Sequence, residues 1–513
     1  MKGKTNNELI KFTGLMGLGG MVAKLFSIPH SIIFAKFLMP SGYGLLQIFK
    51  TIVSYFGYIQ LGILQAMTRN IPKAYAEGDV SKVKKIKDLS FTWSLATTVV
   101  GLIVLWIVYY NIPELYNVLS FDNIILLTIL IILSKINSFI KPLLKSEGEF
   151  IIIGKTTLYS STFSPIVGMI LVYFYNLNGA IIAIILDNLF LFFTSIYLYN
   201  KYIPKFYFQL ELFIKQISKG ILIFLYRFTE TSFSGFVYVL IGVYYNSTKL
   251  GVFAFGLTSL LSVYKYSASI RMYYYRKIML TEGSENKDNS FYKKVFKTPH
   301  TFNLFFNTVL LGFFALVYFT IITSFLSKYT ESIPVMYLSI FGLTIYNART
   351  FCAQFLDATN NLILLTKYIF LGVLVGLSMT YYFLLNDYSI YFIAISTGVG
   401  FTIMSTFIIS TAFYQVNKSK IKTIFMLLSI YFIAALNTYV VYLFSKNNLI
   451  GFNDEVSVLN IIKIIIDLSF KVLVFVLLNY IVFGILFQKN QFRTEINKVI
   501  FLILNKIKLK IKK

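Results

Sequence analysis

The stretch FTGLMGLGGMVAKLFSIPHSIIFAKFLMPSGYGLLQIFKTIVSYFGYIQLGILQAMTRNIPKAYAEGD, residues 12–79, decides the fold. It reads as a long apolar helix interrupted by Lys24 and Pro29, closing on Leu38-Met39-Pro40-Ser41-Gly42-Tyr43-Gly44 and leading into a second helix that carries Lys50. That is a helical hairpin with cations inside it. A lysine at the centre of a membrane helix costs about 2.5–3.5 kcal/mol on insertion scales, so it faces a partner, a polar cavity or a substrate in preference to lipid. If the helix starts near Phe12, Lys24 lies ~18 Å along it at about 1.5 Å per residue, near the middle of a hydrocarbon core of about 30 Å. Lys50 lies only ~10 Å inside its own helix by the same rise. Two such residues in one hairpin suggest a cationic cavity. The alternative is that each stem carries its ammonium to an interface, which is easier for Lys50 than for Lys24.

Composition sets the class. Of 513 residues 57% are hydrophobic and 13% charged, and the mean hydropathy is +0.72, values outside those of an ordinary soluble domain. The chain is expected to be a polytopic membrane protein. Its first apolar segment is longer than a signal-peptide core and no small-residue cleavage site follows it, so the segment is expected to stay. The single cysteine, Cys352, excludes an intramolecular disulfide, and two histidines without a CxxC pair give no zinc site. A net charge of +26 would suggest nucleic acid in a soluble protein, but in a membrane protein the position of the charge matters more than its sum. No nucleic-acid partner, cofactor or metal is expected.

Apolar segments long enough to span occur at about 12–37, 43–68, 89–110, 118–140, 151–175, 178–199, 217–245, 250–270, 298–325, 329–355, 362–385, 388–415, 421–444 and 461–487. They predict fourteen spans in an all-α fold. With a cytoplasmic N-terminus, 36 of the 47 Lys and Arg residues fall on the tails, the even-numbered connections and their flanks. The outer connections hold only Lys36, Lys249, Lys328, Lys446 and Lys463. Shifting the count by one span destroys this bias, so both termini are placed in the cytoplasm. Tyr43-Gly44 and Leu250-Gly251, at the starts of spans 2 and 8, form a weak internal repeat. Transporters are often built from such repeated bundles with the substrate site between them. The expected units are therefore two six-helix lobes at 1–210 and 211–417, two extra helices at 418–487 and a basic amphipathic tail at 488–513. The connection from Arg69 to Leu89 reads as a short amphipathic piece on the inner leaflet or as an ordinary basic loop.

Few residues inside the spans can carry chemistry. Arg227 and Glu230 in span 7 are three apart, close enough to pair. Lys265 in span 8 stands between Tyr264 and Tyr266, aromatic neighbours suited to sugar faces. Asp187 in span 6 has no adjacent cation and is a candidate, with Glu230, for proton or sodium coupling; a hydrogen-bonded structural carboxylate is the alternative. Lys135 is placed near an interface, and His30 is read as a packed histidine beside Pro29. Span 14 carries Lys463, Asp467 and Lys471 as an i,i+4 stripe. The chain has no phosphate loop, no His-Glu-x-x-His and no Gly-x-Ser-x-Gly, so no catalytic residue is assigned. Glu147-Gly148-Glu149 is the one acidic pair with sugar-transferase spacing, and it falls in a cytoplasmic loop.

At Phe34-Ala35-Lys36-Phe37-Leu38-Met39-Pro40-Ser41-Gly42-Tyr43-Gly44, then Leu61-Gly62-Ile63-Leu64-Gln65-Ala66-Met67-Thr68-Arg69 and Gly78-Asp79, the chain resembles the Wzx-type polysaccharide flippases of the multidrug, oligosaccharidyl-lipid and polysaccharide exporter superfamily. Lys36 stands where that family more often has Arg. The resemblance implies two lobes that alternate access, with a cationic cavity for the phosphate and sugars of a polyprenyl-linked oligosaccharide. In the related lipid II flippases, cations from helices 1, 2 and 8 line the cavity and the two extra helices form a lipid groove. Lys24, Lys50 and Lys265 occupy those helices here, and with Arg227 they are the expected substrate-binding residues. The resemblance implies a monomer in the cytoplasmic membrane, working with membrane lipid and glycan-assembly proteins. Two rivals stay open: a cation-coupled drug or metabolite antiporter of the same superfamily, and a membrane glycosyltransferase or polymerase. A cation antiporter would favour carboxylates in its cavity, and a polymerase would need larger outer loops.

Overall fold

Pro40 decides where the first hairpin turns. A proline ring disfavours helical dihedrals in the residue before it, and Met39 stands at φ 56°, ψ 172°. The computed structural model describes residues 6–111, 120–199, 204–263, 296–446 and 458–487, and helix α1, Asn6–Phe56, is two helical segments joined at Met39. Pro29 has no such effect, since Met39 is the one non-helical residue inside α1. The expected closure of the hairpin over Leu38–Gly44 falls at Met39, and the helix runs through Lys24 and Pro29 without a break. A proline inside a membrane helix is tolerated where neighbouring groups satisfy the carbonyl it leaves free.

The remaining elements are α2 (Ile63–Ala76), α3 (Val80–Asn111), α4 (Phe121–Glu147), α5 (Phe150–Leu198), α6 (Leu210–Tyr244), α7 (Ser247–Leu261), α8 (Thr298–Phe325), α9 (Ser332–Ala358), α10 (Leu362–Leu385), α11 (Ile390–Asn417), α12 (Lys420–Lys446) and α13 (Val458–Leu486), with a short 3₁₀ turn at Ser327–Tyr329. All described elements are helical, and nine are long and apolar enough to cross a membrane. The protein is an all-helical, multi-pass membrane protein. Among the described residues the expected spans fall on helices, with α5 holding two, the span at 43–68 divided between α1 and α2, and the span at 250–270 described only as far as residue 263. The turn inside α5 is at Asn176, φ 47° and ψ −123°, between the expected ends at 175 and 178.

The chain divides into two compact units, Met1–Phe255 and Gly256–Lys513. In the first, α1 packs along α5, and Phe34, Leu46 and Phe49 of α1 join Ile124, Leu127 and Ile131 of α4 and Val172 and Ile181 of α5 in one core. A second core gathers Ile63, Met67 and Ile71 of α2 with Val83 and Ile86 of α3 and Phe139 and Leu143 of α4. That corrects the reading of residues 69–89 as a piece lying on the leaflet. The apolar face of α2 is covered by α3 and α4, and α3 starts at Val80. Asp79 caps that start, accepting from Lys82 N at 2.9 Å and Ser81 Oγ at 2.8 Å. Lys82 Nζ donates to Glu77 at 2.6 Å and holds its carboxyl below the usual carboxylate range.

In the second unit, α11 lies against both α9 and α10, and the contact is close because it is made by glycines. A Cβ on Gly342 of α9 would meet the backbone of Gly398 of α11 at 2.6 Å, and one on Gly372 of α10 would meet Gly400 O at 2.7 Å. Small residues let membrane helices approach in this way. The Asp467–Lys471 part of the stripe on α13 is an i,i+4 ion pair at 2.6 Å with Lys471 buried; Lys463, the loop at 271–295 and the tail from 488 lie outside the described residues or side chains.

Candidate functional site

The lower half of α1 and helix α6 run antiparallel and bring the described candidates of the first unit onto one interface. Gly242 lies by Ile48, Gly235 against Thr51 and Tyr55, and Gly220 against Gly62. Tyr55 Oη donates to Ser232 O at 3.4 Å, and Tyr58 Oη shares a 2.7 Å hydrogen bond with Thr231 Oγ1. In that register Lys50 and Arg227 lie ~16 Å apart along the seam at about 1.5 Å per residue, and both are exposed. Arg227 Nε donates to Tyr226 Oη at 3.1 Å, and its guanidinium sits 5.7 Å from the Tyr226 ring centre. Glu230 is half-buried one turn further, and Tyr58 lies within electrostatic range of both Arg227 and Glu230. The result is a tyrosine-lined face with two cations and one carboxylate. Such a face can hold a phosphate by charge and hydroxyl-rich groups by phenols.

Other candidates lie elsewhere. Asp187, half-buried on α5, accepts from Ser160 Oγ at 2.8 Å across the two halves of that helix. Asn137 of α4 reaches the neighbouring Asn188, donating to its carbonyl at 2.8 Å. His30 stacks on Phe34, ring centres 3.9 Å apart, and is a packed histidine within electrostatic range of Lys50. Lys24 is on α1 but its side chain lies outside those described, and Lys265 lies outside the described residues. Glu147 is committed to structure: its carboxylate pairs with the buried Lys87 and accepts from Tyr75 Oη at 3.0 Å.

Sequence reading missed a break in the second span. Expected over 43–68, that span stops at Phe56 and resumes at Ile63, with Leu61 at φ 54° and Gly62 at φ 81°. Unwound backbone at membrane depth survives only where protein groups satisfy it, and here they do. Trp93 Nε1 donates to Gln60 O at 3.2 Å, Gln60 Nε2 donates to Gly57 O at 2.9 Å, and Gln60 Oε1 accepts from Ser94 Oγ at 3.3 Å and Lys135 Nζ at 3.5 Å. Lys135 is 5% exposed, so its ammonium is held inside the protein. Removing the acceptor of a buried cation costs more than replacing the cation by an apolar chain of similar length. Gln60→Leu is therefore expected to lower the melting temperature of the purified protein by several degrees more than Lys135→Met. Equal shifts would show that the pair does not organise the break.

A family model described as "Polysaccharide biosynthesis protein" matches residues 33–334, more than half of the chain. The chain belongs to that family. Among solved structures, the lipid II flippase MurJ in an inward closed conformation is similar at 16% identity over 92% of this chain and 97% of that one, TM-score 0.61. A mutant form of the Vibrio cholerae MATE transporter VcmN is similar at 14% identity over 83% and 98%, TM-score 0.57. An inward-facing multidrug resistance MATE family transporter of the MOP superfamily gives 11% identity over 79% and 98%, TM-score 0.54. At these identities the likeness shows the fold, which is that of MOP transporters. No curated protein matches the sequence.

Proposed function

We propose that the protein is a flippase that carries a polyprenyl (pyro)phosphate-linked oligosaccharide from the cytoplasmic to the outer leaflet of the cell membrane by alternating access. The reading is supported by one conjunction: a chain of the polysaccharide biosynthesis family, with the fold of MOP transporters, has Lys50 and Arg227 exposed on one tyrosine-lined face. Membrane-buried cations are costly and mark paths for anions. The phosphate binds Lys50 and Arg227, with Lys24 and Lys265 as further ligands, and the sugars take the phenols. Both termini lie in the cytoplasm, by the distribution of Lys and Arg. Reconstituted protein should flip a fluorescent polyprenyl-phosphate-linked sugar and ignore a cationic dye. Dye uptake without flipping would establish the antiporter reading instead.

Coupling is proposed at Asp187 or Glu230, because an ion-driven cycle needs a group whose occupancy changes at membrane depth. Asp187, held by Ser160, is the better placed of the two, since Glu230 is one turn from Arg227. The double variant Asp187→Asn, Glu230→Gln should flip at a rate insensitive to proton and sodium gradients. Flipping that keeps its full gradient dependence would exclude both carboxylates.

A further inference from the structure

The second unit holds a polar stripe that the proposed transport site does not use. On α8, His300, Asn303 and Asn307 recur at i, i+3 and i+7, which puts them on one face of the helix, and all three are fully buried. That face meets α9. His300 Nε2 lies 3.1 Å from Ala348 O, and the Phe296 ring packs 4.7 Å from that of Phe355. These pairs run antiparallel, so Asn303 comes level with Asn347 and Asn307 with Thr344. Helix α12 enters at the same height, where Asn437 Nδ2 donates to Thr344 Oγ1 at 3.2 Å, and Asn347 stands one turn from Thr344 on the same side of α9. Further along the α8 stripe come Leu311 and Phe314, both buried and apolar.

The chemistry of this seam selects its occupant. His300 Nδ1, both polar atoms of Asn303 and Asn307, Thr308 Oγ1, Asn347 Oδ1 and Asn437 Oδ1 are buried and have no hydrogen-bond partner among the described residues. Inside a dry core each would cost about 1–3 kcal/mol, so the site requires a molecule that both donates and accepts. Acceptors predominate, because the His300 nitrogen that faces Ala348 O is the donor and leaves Nδ1 as an acceptor. A cation is disfavoured: the set contains no carboxylate, and Arg349 lies two residues from Asn347 with its guanidinium over Tyr346. A neutral molecule with two donors and two acceptors fits. We propose that His300, Asn303, Asn307, Thr308, Asn347 and Asn437 form an internal hydration site, a file of bound water about 10 Å long at 1.5 Å rise per residue that ends against Leu311 and Phe314. Water-bridged amides can exchange partners without presenting a bare polar group to hydrocarbon. The seam therefore lets α8 shift against α9 and α12.

X-ray hydroxyl-radical footprinting of the full-length protein in nanodiscs tests this, because radicals formed on bound water oxidise side chains beside it even where bulk solvent has no access. Leu304, between the two asparagines, should be oxidised at least about fivefold more than Leu316, which lies on the same helix and is equally buried. The Asn303→Leu, Asn307→Leu double variant should bring Leu304 down to the level of Leu316 and melt no lower than wild type, since apolar chains replace water-bridged amides without leaving a direct protein bond broken. Equal oxidation of Leu304 and Leu316 in the wild-type protein would overturn the proposal, as would Leu304 labelling that survives the double substitution. A double variant that melts many degrees lower, or fails to fold, would also overturn it by showing that the amides bond directly to protein. Asn437→Leu provides a second variant that should halve the Leu304 signal.

Discussion

Gly251→Ala should leave almost no folded protein in detergent extracts, whereas Gly42→Ala should melt slightly higher than wild type. A Cβ added at Gly251 falls on the carbonyl oxygen of Pro40, and one at Gly44 falls on the carbonyl of Ser247. Both obstacles are backbone, so no side chain can swing away. Relief requires α7 to move off the Pro40 turn, which opens the packing around Leu250, Phe253 and Ala254, all fully buried. Losses of this kind reach more than about 4 kcal/mol, a large part of a typical stability of about 5–15 kcal/mol. At Gly42 the added Cβ meets Leu38 Cβ at 3.5 Å, an ordinary contact, inside a helix. Alanine there recovers about 0.5–1 kcal/mol of backbone entropy. Thermal melts of the two variants separate the cases, and comparable behaviour would show that Gly44 and Gly251 are not the point of closest approach.

The same glycines show what the sequence made legible. Tyr43-Gly44 and Leu250-Gly251 were recognisable as a repeat, and the structure places each glycine against the backbone that surrounds the other. Pro40 marked the first turn, and the polar residues after Tyr175 marked the turn at Asn176. The nine described helices that are long and apolar enough to cross a membrane are legible for the same reason, since hydropathy reports on the bilayer. Hydropathy averages over a window, however, and the six residues from Gly57 to Gly62 are too few and too apolar to register. Only the Gly57 and Gly62 pair around Gln60 hinted at a break. Position along a helix does not reveal burial: Lys135 is held inside the protein because Gln60, in the break between α1 and α2, accepts its hydrogen bond. The hydration stripe on α8 escaped because Asn303 and Asn307 look unremarkable until three helices are seen to close over them.

The double variant Lys50→Ala, Arg227→Ala should abolish flipping while inserting and accumulating normally, and this expectation rests on the proposed flippase function. Both side chains are exposed, so truncation leaves no cavity and the protein should still fold. Toward a phosphate each cation makes charge-assisted bonds worth about 1.5–3 kcal/mol, and about 1.4 kcal/mol is a factor of ten. Each single variant should therefore weaken substrate binding by about 10- to 100-fold, and the double variant by about the product if the two cations act on one group independently. Charge-preserving replacements discriminate further. Lys50→Arg should keep a measurable rate, because a point charge toward phosphate survives, whereas Arg227→Lys should lose more, since its planar fork and its place beside Tyr226 are not reproduced by an ammonium. Lys24→Ala, at the depth argued from the sequence, should abolish flipping by itself and Lys24→Arg should retain part of it. Wild-type rates in the stably inserted double variant would remove the tyrosine-lined face from the transport path, and would leave Lys50 and Arg227 as residues that carry their charge to a membrane interface.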